Sequence, residues 1–506
     1  MSVVKTGEAK MNRLSEETLG QLPLSVSRPD YDRNVVGTRM VQLGAGAFFR
    51  SHLAVYADDL LAKGHSEWGV CAVSLRDPGL DEALAPQDGL YTVLVHDGRQ
   101  PHARVVGSLK QTLGLSRQRQ EVYDALLDPQ TAIVALTITH HGYCYDPVGD
   151  CLNQALPEIG ADLSSPNEPR SAIGLLGWAI AQRMQRNLKP FTLLSCDNIP
   201  ANGKVLQRVL ANYLEKTEPS LGAPGVLRHF MEQYACPCTL VDRLTPHSHA
   251  SSQDMATELL GLQDAAPVLT EPYSLFVIQD WFCNDRPRWE DVGVIVTPHV
   301  APYEQLRYRL LDAAYLALGL FGGLTNRQTL YQVMQRPEIT LFLVGLMSDA
   351  GETLDRHADF DWETFQWQWL NRLANRSLGL STAQLLKEVS RVMPYAVLPV
   401  IQQRLQQGQS IDRHARVVAA WLCYLMRANA EVAVAEDPGA RILVEQIGLL
   451  GSASTDPFEL TEQVLSMPEV FGVQLAQDLE FRRCVTSQLV DVLDAFPSAT
   501  HLHTSD

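Results

Sequence analysis

Long apolar runs are missing. No stretch of about 18 or more such residues occurs in the 506-residue chain, so no membrane-spanning helix is expected. The opening residues 1–20 are polar and lack the apolar centre of a secretory leader. Cysteine is sparse and shows no pairing pattern. Nine cysteines, an odd number at scattered spacings, do not make a disulfide framework. The close pair Cys236 and Cys238 has no second pair near enough for a zinc ribbon, so no metal is expected. Reduced thiols without an export segment point to the cytoplasm. Positive charge is in deficit, with 41 Lys+Arg against 58 Asp+Glu and a net charge of −17. That balance argues against nucleic acid or an anionic membrane as partner, while leaving room for a small anionic substrate in a locally basic pocket. Internal repeats and long low-complexity segments are also absent.

What is present suits a globular protein, with 46% hydrophobic and 20% charged residues and length for two or three cores. "RMVQLGAG" (39–46) reads as a buried strand. "FRSHLAVYADDLLAKG" (49–64) has helical spacing, with Leu53, Tyr56, Leu60 and Leu61 on one face and Gly64 as a stop. "WGVCAVSL" (68–75), "TAIVALTITHHGY" (131–143) and "KPFTLLSCDNI" (189–199) read as further strands. Segments 91–98 and 103–109 alternate like a hairpin, and 170–187 is helical. Alternating strand and helix predicts an α/β domain with a mostly parallel sheet over 1–270. From about residue 300 the periodicity is helical. We therefore expect a mainly α-helical domain over 271–506, with the boundary in "AAPVLTEPYS".

Gly44 and Gly46 follow the first strand directly. Glycines there allow a tight turn and a close approach of backbone to a pyrophosphate, with free N–H groups at the next helix start. The third glycine of the dinucleotide pattern is missing, because Phe49 holds its place, with Arg50 beside it. The second strand ends in Arg76 and Asp77, and Asp77 is placed to take a ribose hydroxyl pair. NAD is the expected cofactor, and Arg76 beside Asp77 leaves NADP open.

Seven stretches then carry a resemblance: "LGAGAFFRSHLAVYADDLL", "QDGLYTV" (87–93), "LTITHHGY" (136–143), "SCDNIPANGKVLQRVL" (195–210), "TLVDRLTP" (239–246), "DRPRWEDVGV" (285–294) and "VAPYEQLRYRLLDAAYLAL" (300–318). In this order they resemble the polyol-specific long-chain dehydrogenases, the mannitol dehydrogenase family, over roughly residues 12–495. The resemblance implies a Rossmann-type N-terminal domain, a helical C-terminal domain and an active site in the cleft between them. It also implies hydride transfer, without a metal, between nicotinamide and the CH–OH group of a linear polyol or sugar acid of the mannitol, mannonate or fructuronate kind. By the same resemblance Asn198 and Asp242 contact substrate hydroxyls, and Glu304 lies near the catalytic group. A monomer or weak homo-oligomer is implied as well.

The catalytic helix departs from the family. Where relatives carry a lysine base, an asparagine five residues on and a histidine three further, this chain has Arg307, Asp312 and Tyr315. Arginine keeps its proton and cannot replace lysine as a base. Asp312 puts a carboxylate beside a developing alkoxide, tolerable if Arg307 neutralises it. Tyr315 could donate a hydrogen bond or act as the acid/base. His140 stands where relatives have a glutamate, Gln384 and Val392 where they have basic residues, with Arg391 next to Val392. His299 is a second candidate base. Two functions follow: a dehydrogenase with an altered acid/base set, or a family-fold protein without that activity, such as a nucleotide-bound regulatory protein or an NAD-using epimerase. Asn198 could instead cap the next helix, and Asp242 could pair with Arg243.

Overall fold

The structure is a computed structural model and describes residues 11–75, 79–147, 149–246, 250–354, 362–427, 437–451 and 457–496. The chain divides into two units, Met1–Ala301 and Pro302–Asp506. The break falls later than the expected boundary at 270. The reason is pairing: three short strands past 267 bind back into the first unit.

Its strands in chain order are β1 (Thr38–Leu43), β2 (Gly69–Ser74), β3 (Tyr91–Val95), β4 (His102–Val106), β5 (Leu109–Gly114), β6 (Ile133–Leu136) and β7 (Tyr145–Asp146). They continue as β8 (Cys151–Leu152), β9 (Thr192–Ser195), β10 (Thr239–Asp242), β11 (Val268–Thr270), β12 (Leu275–Gln279) and β13 (Ile295–Thr297). The main sheet runs β5-β2-β1-β6-β9, parallel throughout. Successive side chains of one strand feed opposite faces. Val41, Leu43, Val134 and Leu136 enter one apolar core, and Met40, Ile133 and Ala135 enter the other. Burial on both faces explains why these strands read as continuous apolar runs rather than alternating ones. The expected hairpin is β3 with β4, and β11 extends it in parallel; Leu109, however, starts β5 of the main sheet. β12 pairs with β10 and β13, which holds 275–297 in the first unit.

The helix expected over 49–64 forms as two pieces, Ala47–Ser51 and Leu53–Ala62. The backbone breaks at His52, whose Nε2 donates to the Leu275 carbonyl at 2.9 Å while its ring stacks on Phe48. Helix Ala172–Gln185 begins where predicted, capped by Ser171, whose hydroxyl accepts from the Gly174 N–H at 2.9 Å.

The second unit is helical among its described residues. Ala301–Leu306 leads into a π-helical turn over Arg307–Asp312 and then into the apolar helix Ala313–Leu324, which packs on Thr382–Leu386 and Asp412–Arg427. Asp412–Arg427 in turn lies along Leu479–Ala495.

Candidate active site

In an open parallel sheet the chain leaves neighbouring strands in opposite directions at one point, and a crevice opens there beyond their carboxyl ends. Here that point lies between β1 and β6. A cavity of about 470 Å³ occupies it, lined by Gly44–Ala47, Arg50, Ser74 at the end of β2, and Thr137–Thr139 after β6. Gly44 adopts φ +87°, and a Cβ built on it would stand 2.2 Å from the Thr137 carbonyl oxygen, so only glycine fits. Gly46 is different. A Cβ there would meet no protein atom within 4 Å, so the space it leaves opens on the cavity. The turn is braced from behind: Thr137 Oγ1 donates to the Gly44 carbonyl at 2.7 Å, and Gln42 Nε2 donates to both, at 2.9 and 3.0 Å.

Arg50 lines the same cavity from a buried position, its guanidinium over the Tyr91 ring. Burial lowers its pKa, with Tyr91 and Asp264 opposing the shift. Its Nη1 donates to the Ala266 carbonyl, and its Nε has no hydrogen-bond partner among the described residues. Phe49, expected among the cofactor residues, instead packs entirely inside the core and lines no part of the cavity. A large aromatic in place of the third glycine thus fills the core beside the sheet. Asp77 and Arg76 lie outside the described residues. Sequence reasoning missed Glu158 and Arg170, which complete the cavity wall. Glu158 lies in the first turn of the short helix Pro157–Ser164 and Arg170 just before helix Ala172–Gln185, far apart in sequence from the glycine turn whose cavity they line.

The other first-unit candidates sit at strand ends. Asn198 is exposed in the loop after β9, and Ala201 rather than Asn198 holds the position before helix Asn202–Thr217. Asp242 closes β10 and is buried, while its neighbour Arg243 donates to the Ser51 and Glu271 carbonyls. His299 is exposed after β13, and the rings of His140 and His141 lie 3.9 Å apart on the surface.

In the second unit, Glu304, Arg307, Asp312 and Tyr315 are all buried. Five residues along an α-helix turn through about 500°, which would leave Arg307 and Asp312 about 140° apart. The π turn removes that misalignment, because its hydrogen bonds run from i to i+5. Arg307 and Asp312 are therefore brought together through a local change of helix type. Arg307 Nη1 donates to Asp312 Oδ2 at 3.1 Å, with side chains only 10% and 8% exposed. Around this pair stand Tyr308, over whose ring Arg307 lies, and Tyr395, 4.8 Å from it ring to ring. Burial raises the pKa of both phenols, reinforced by Glu304 at Tyr308 and by Asp312 at Tyr395. They hold their protons at neutral pH. Arg391 also comes within electrostatic reach of Asp312. Burial works against its charge, but Tyr395, Glu388 and Asp312 together raise its pKa. Val392 is buried and Gln384 exposed.

Two family models match this chain: the mannitol dehydrogenase Rossmann domain over residues 38–291 and the mannitol dehydrogenase C-terminal domain over 299–493. D-mannonate oxidoreductase of Escherichia coli (strain K12) is 32% identical over 92% of this chain and 95% of its own length. Mannitol 2-dehydrogenase of Aspergillus clavatus is 32% identical over 92% and 93%. The structure of Pseudomonas fluorescens mannitol 2-dehydrogenase in a ternary complex with NAD and D-mannitol superposes with a TM-score of 0.81, at 29% identity, covering 96% of this chain and 97% of that one.

Proposed function

The chain belongs to the mannitol dehydrogenase family of oxidoreductases, and from that premise we propose that it transfers hydride between NAD and the CH–OH group of a linear polyol or sugar acid. The observation that carries the cofactor is the cavity at the β1/β6 crevice, with the open space over Gly46 and the buried Arg50 beside it. The helix after the turn has five residues, too short for a large dipole, so the negative charge of a pyrophosphate falls to Arg50 and the turn's backbone.

Bound NAD supplies the hydride acceptor. The rest is this chain's work: a proton must leave the substrate hydroxyl, and the charge developing on its oxygen must be held. Of the three altered residues, Arg307 cannot take a proton, and Tyr315 is a donor in its neutral form. Asp312 is the acceptor. Its pairing with Arg307 meets the requirement that a carboxylate beside a developing alkoxide be neutralised, and the guanidinium then faces the same charge. Asn198 and Asp242 are assigned to substrate hydroxyls and Glu304 to the substrate site beside the catalytic group, as the resemblance implies. The free state of all nine cysteines supports a cytoplasmic setting.

The same ion pair supports a second reading, a nucleotide-binding protein in which Arg307 and Asp312 satisfy one another and carry no chemistry. One experiment separates the two. Titration with NADH and NADPH by tryptophan fluorescence is followed by assays against hexitols, pentitols and hexuronates, monitoring the reduced cofactor. Binding with turnover is expected. Binding without turnover on any of these would favour the second reading, and no binding would overturn the cofactor assignment.

A further inference from the structure

Asp197 has no place in the functional assignments above, yet it joins two of the loops they use. It follows β9 and precedes Asn198. Its Oδ2 accepts the Ile138 N–H at 2.8 Å, its Oδ1 the Thr139 N–H at 2.9 Å, and Tyr143 donates its hydroxyl to Oδ2 at 2.9 Å. Tyr143 also shares a 2.5 Å hydrogen bond with Ser195 on β9. Both amides belong to the cavity wall, and Thr139 holds φ +60°, a left-handed conformation that a β-branched residue rarely adopts. A conformation of that kind persists only where its surroundings fix it. The two amides accepted by one carboxylate supply that constraint.

The clamp has a rigid base and a short reach to the glycine turn. Asn202, fully buried, donates its Nδ2 to the Asp197 carbonyl at 3.0 Å and to the Thr239 carbonyl at 3.2 Å, and accepts the Thr239 N–H at 2.9 Å. On the other side Thr137, next in chain to Ile138, donates to the Gly44 carbonyl. A continuous path therefore runs from β10 through Asn202 and Asp197 to the backbone that faces the cavity.

Resting on the nucleotide reading of that cavity, we propose that Asp197 is a positioning residue for cofactor binding: its carboxylate sets the Thr137–Thr139 wall through the two backbone amides. No polar side chain that moves hydride or proton is involved; the effect passes through main-chain geometry. An asparagine at 197 keeps the size but offers one acceptor oxygen, and its NH2 faces the other amide donor.

The test compares Asp197→Asn, Asp197→Glu and Tyr143→Phe with the unaltered protein. NADH dissociation constants come from fluorescence, and amide exchange over residues 137–143 from mass spectrometry. Asp197→Asn is expected to weaken NADH about tenfold or more and to speed exchange in that loop. Tyr143→Phe, which removes one arm and leaves both amide contacts, gives a smaller change, and Asp197→Glu restores part of the affinity. Unchanged NADH affinity in a folded Asp197→Asn protein would overturn the proposal. If that variant does not fold, Tyr143→Phe and Asp197→Glu decide it, since wild-type affinity and exchange in both would also overturn it. Failure of the unaltered protein to bind NADH or NADPH would overturn the functional reading instead, and loop exchange would still judge the clamp.

Discussion

The two units handle change in opposite ways. In the first, the features that define the cavity are made by main chain: a left-handed Gly44, an open Gly46, and amides fixed by Asp197. In the second, the π turn over Arg307–Asp312 positions side chains that, on the resemblance, differ in type from those of the family. Main-chain recognition tolerates few residue types at few positions, so it survives as a motif. A scaffold that only aims side chains leaves their chemistry free to vary. The comparison predicts that substitutions in the first unit separate fold from binding, whereas in the second they alter chemistry and stability together.

The largest expected effect is in the second unit. Asp312→Asn removes the proposed proton acceptor and should lower kcat by about 10²–10⁴. It also leaves Arg307, buried, without this carboxylate, which should cost about 3 kcal/mol of that unit's stability, read by urea unfolding. Full turnover after this change would break the comparison, because the altered set would then not be the chemistry. The combined change Arg307→Lys, Asp312→Asn and Tyr315→His installs the family residues on the same turn, and is expected to recover turnover that Asp312→Asn alone loses.

Next come the two glycines. Gly44→Ala drives a Cβ toward the Thr137 carbonyl at 2.2 Å and forces an unfavourable φ, so the first unit should lose about 2–4 kcal/mol. Gly46→Ala should change stability by less than about 0.5 kcal/mol, since nothing lies within 4 Å of its Cβ, yet weaken NADH about tenfold by filling the approach. If both variants lose stability equally, the division of labour within the turn is wrong.

How much of this was legible depends on sequence distance. The strand–turn–helix at 38–51 is local, and its glycines and buried run announce themselves. The helical character of the second unit is equally local. Asp197 was not legible, because Ile138, Thr139 and Tyr143 lie far back in the chain and only the parallel pairing of β6 with β9 brings them together. The boundary was misplaced for the same reason: β11, β12 and β13 are three to five residues each and owe their place to partners, not to their own periodicity. Phe49 was misassigned because a position in a motif does not say which way a side chain points. The spacing of 307, 312 and 315 was visible, but the π turn that makes it work was not.

Acid sensitivity gives one probe in each unit. Burial holds His52 neutral, lowering its pKa to about 4, with the Leu275 hydrogen bond opposing and Arg243 and Asp242 nearby in opposite senses. Burial, with Arg404 and Arg413, lowers His414 to about 3. An unfolded histidine takes its proton below about 6.5, so each contributes stability fully above that pH and loses it as pH falls toward the folded value. By pH 5 the loss should be about 2 kcal/mol from either residue. His52→Phe should flatten the acid limb of the first unit's melting curve and His414→Phe that of the second. An acid limb that each substitution leaves unchanged would show these rings do not report on their units.

The smallest effect is the most informative about mechanism. Tyr315 lies buried on helix Ala313–Leu324, directly after the π turn, and is assigned a hydrogen-bond donor's role toward the reacting oxygen. Removing one neutral donor costs about 1–1.5 kcal/mol, so Tyr315→Phe should reduce kcat about tenfold and leave its pH dependence in place. A phenol that carried the proton itself would behave otherwise. Its removal would cost as much as Asp312→Asn and would shift the pH profile, reassigning the acid/base from the Arg307–Asp312 pair to Tyr315. The ratio of the two effects, measured under one set of conditions, therefore decides whether Asp312 or Tyr315 handles the proton.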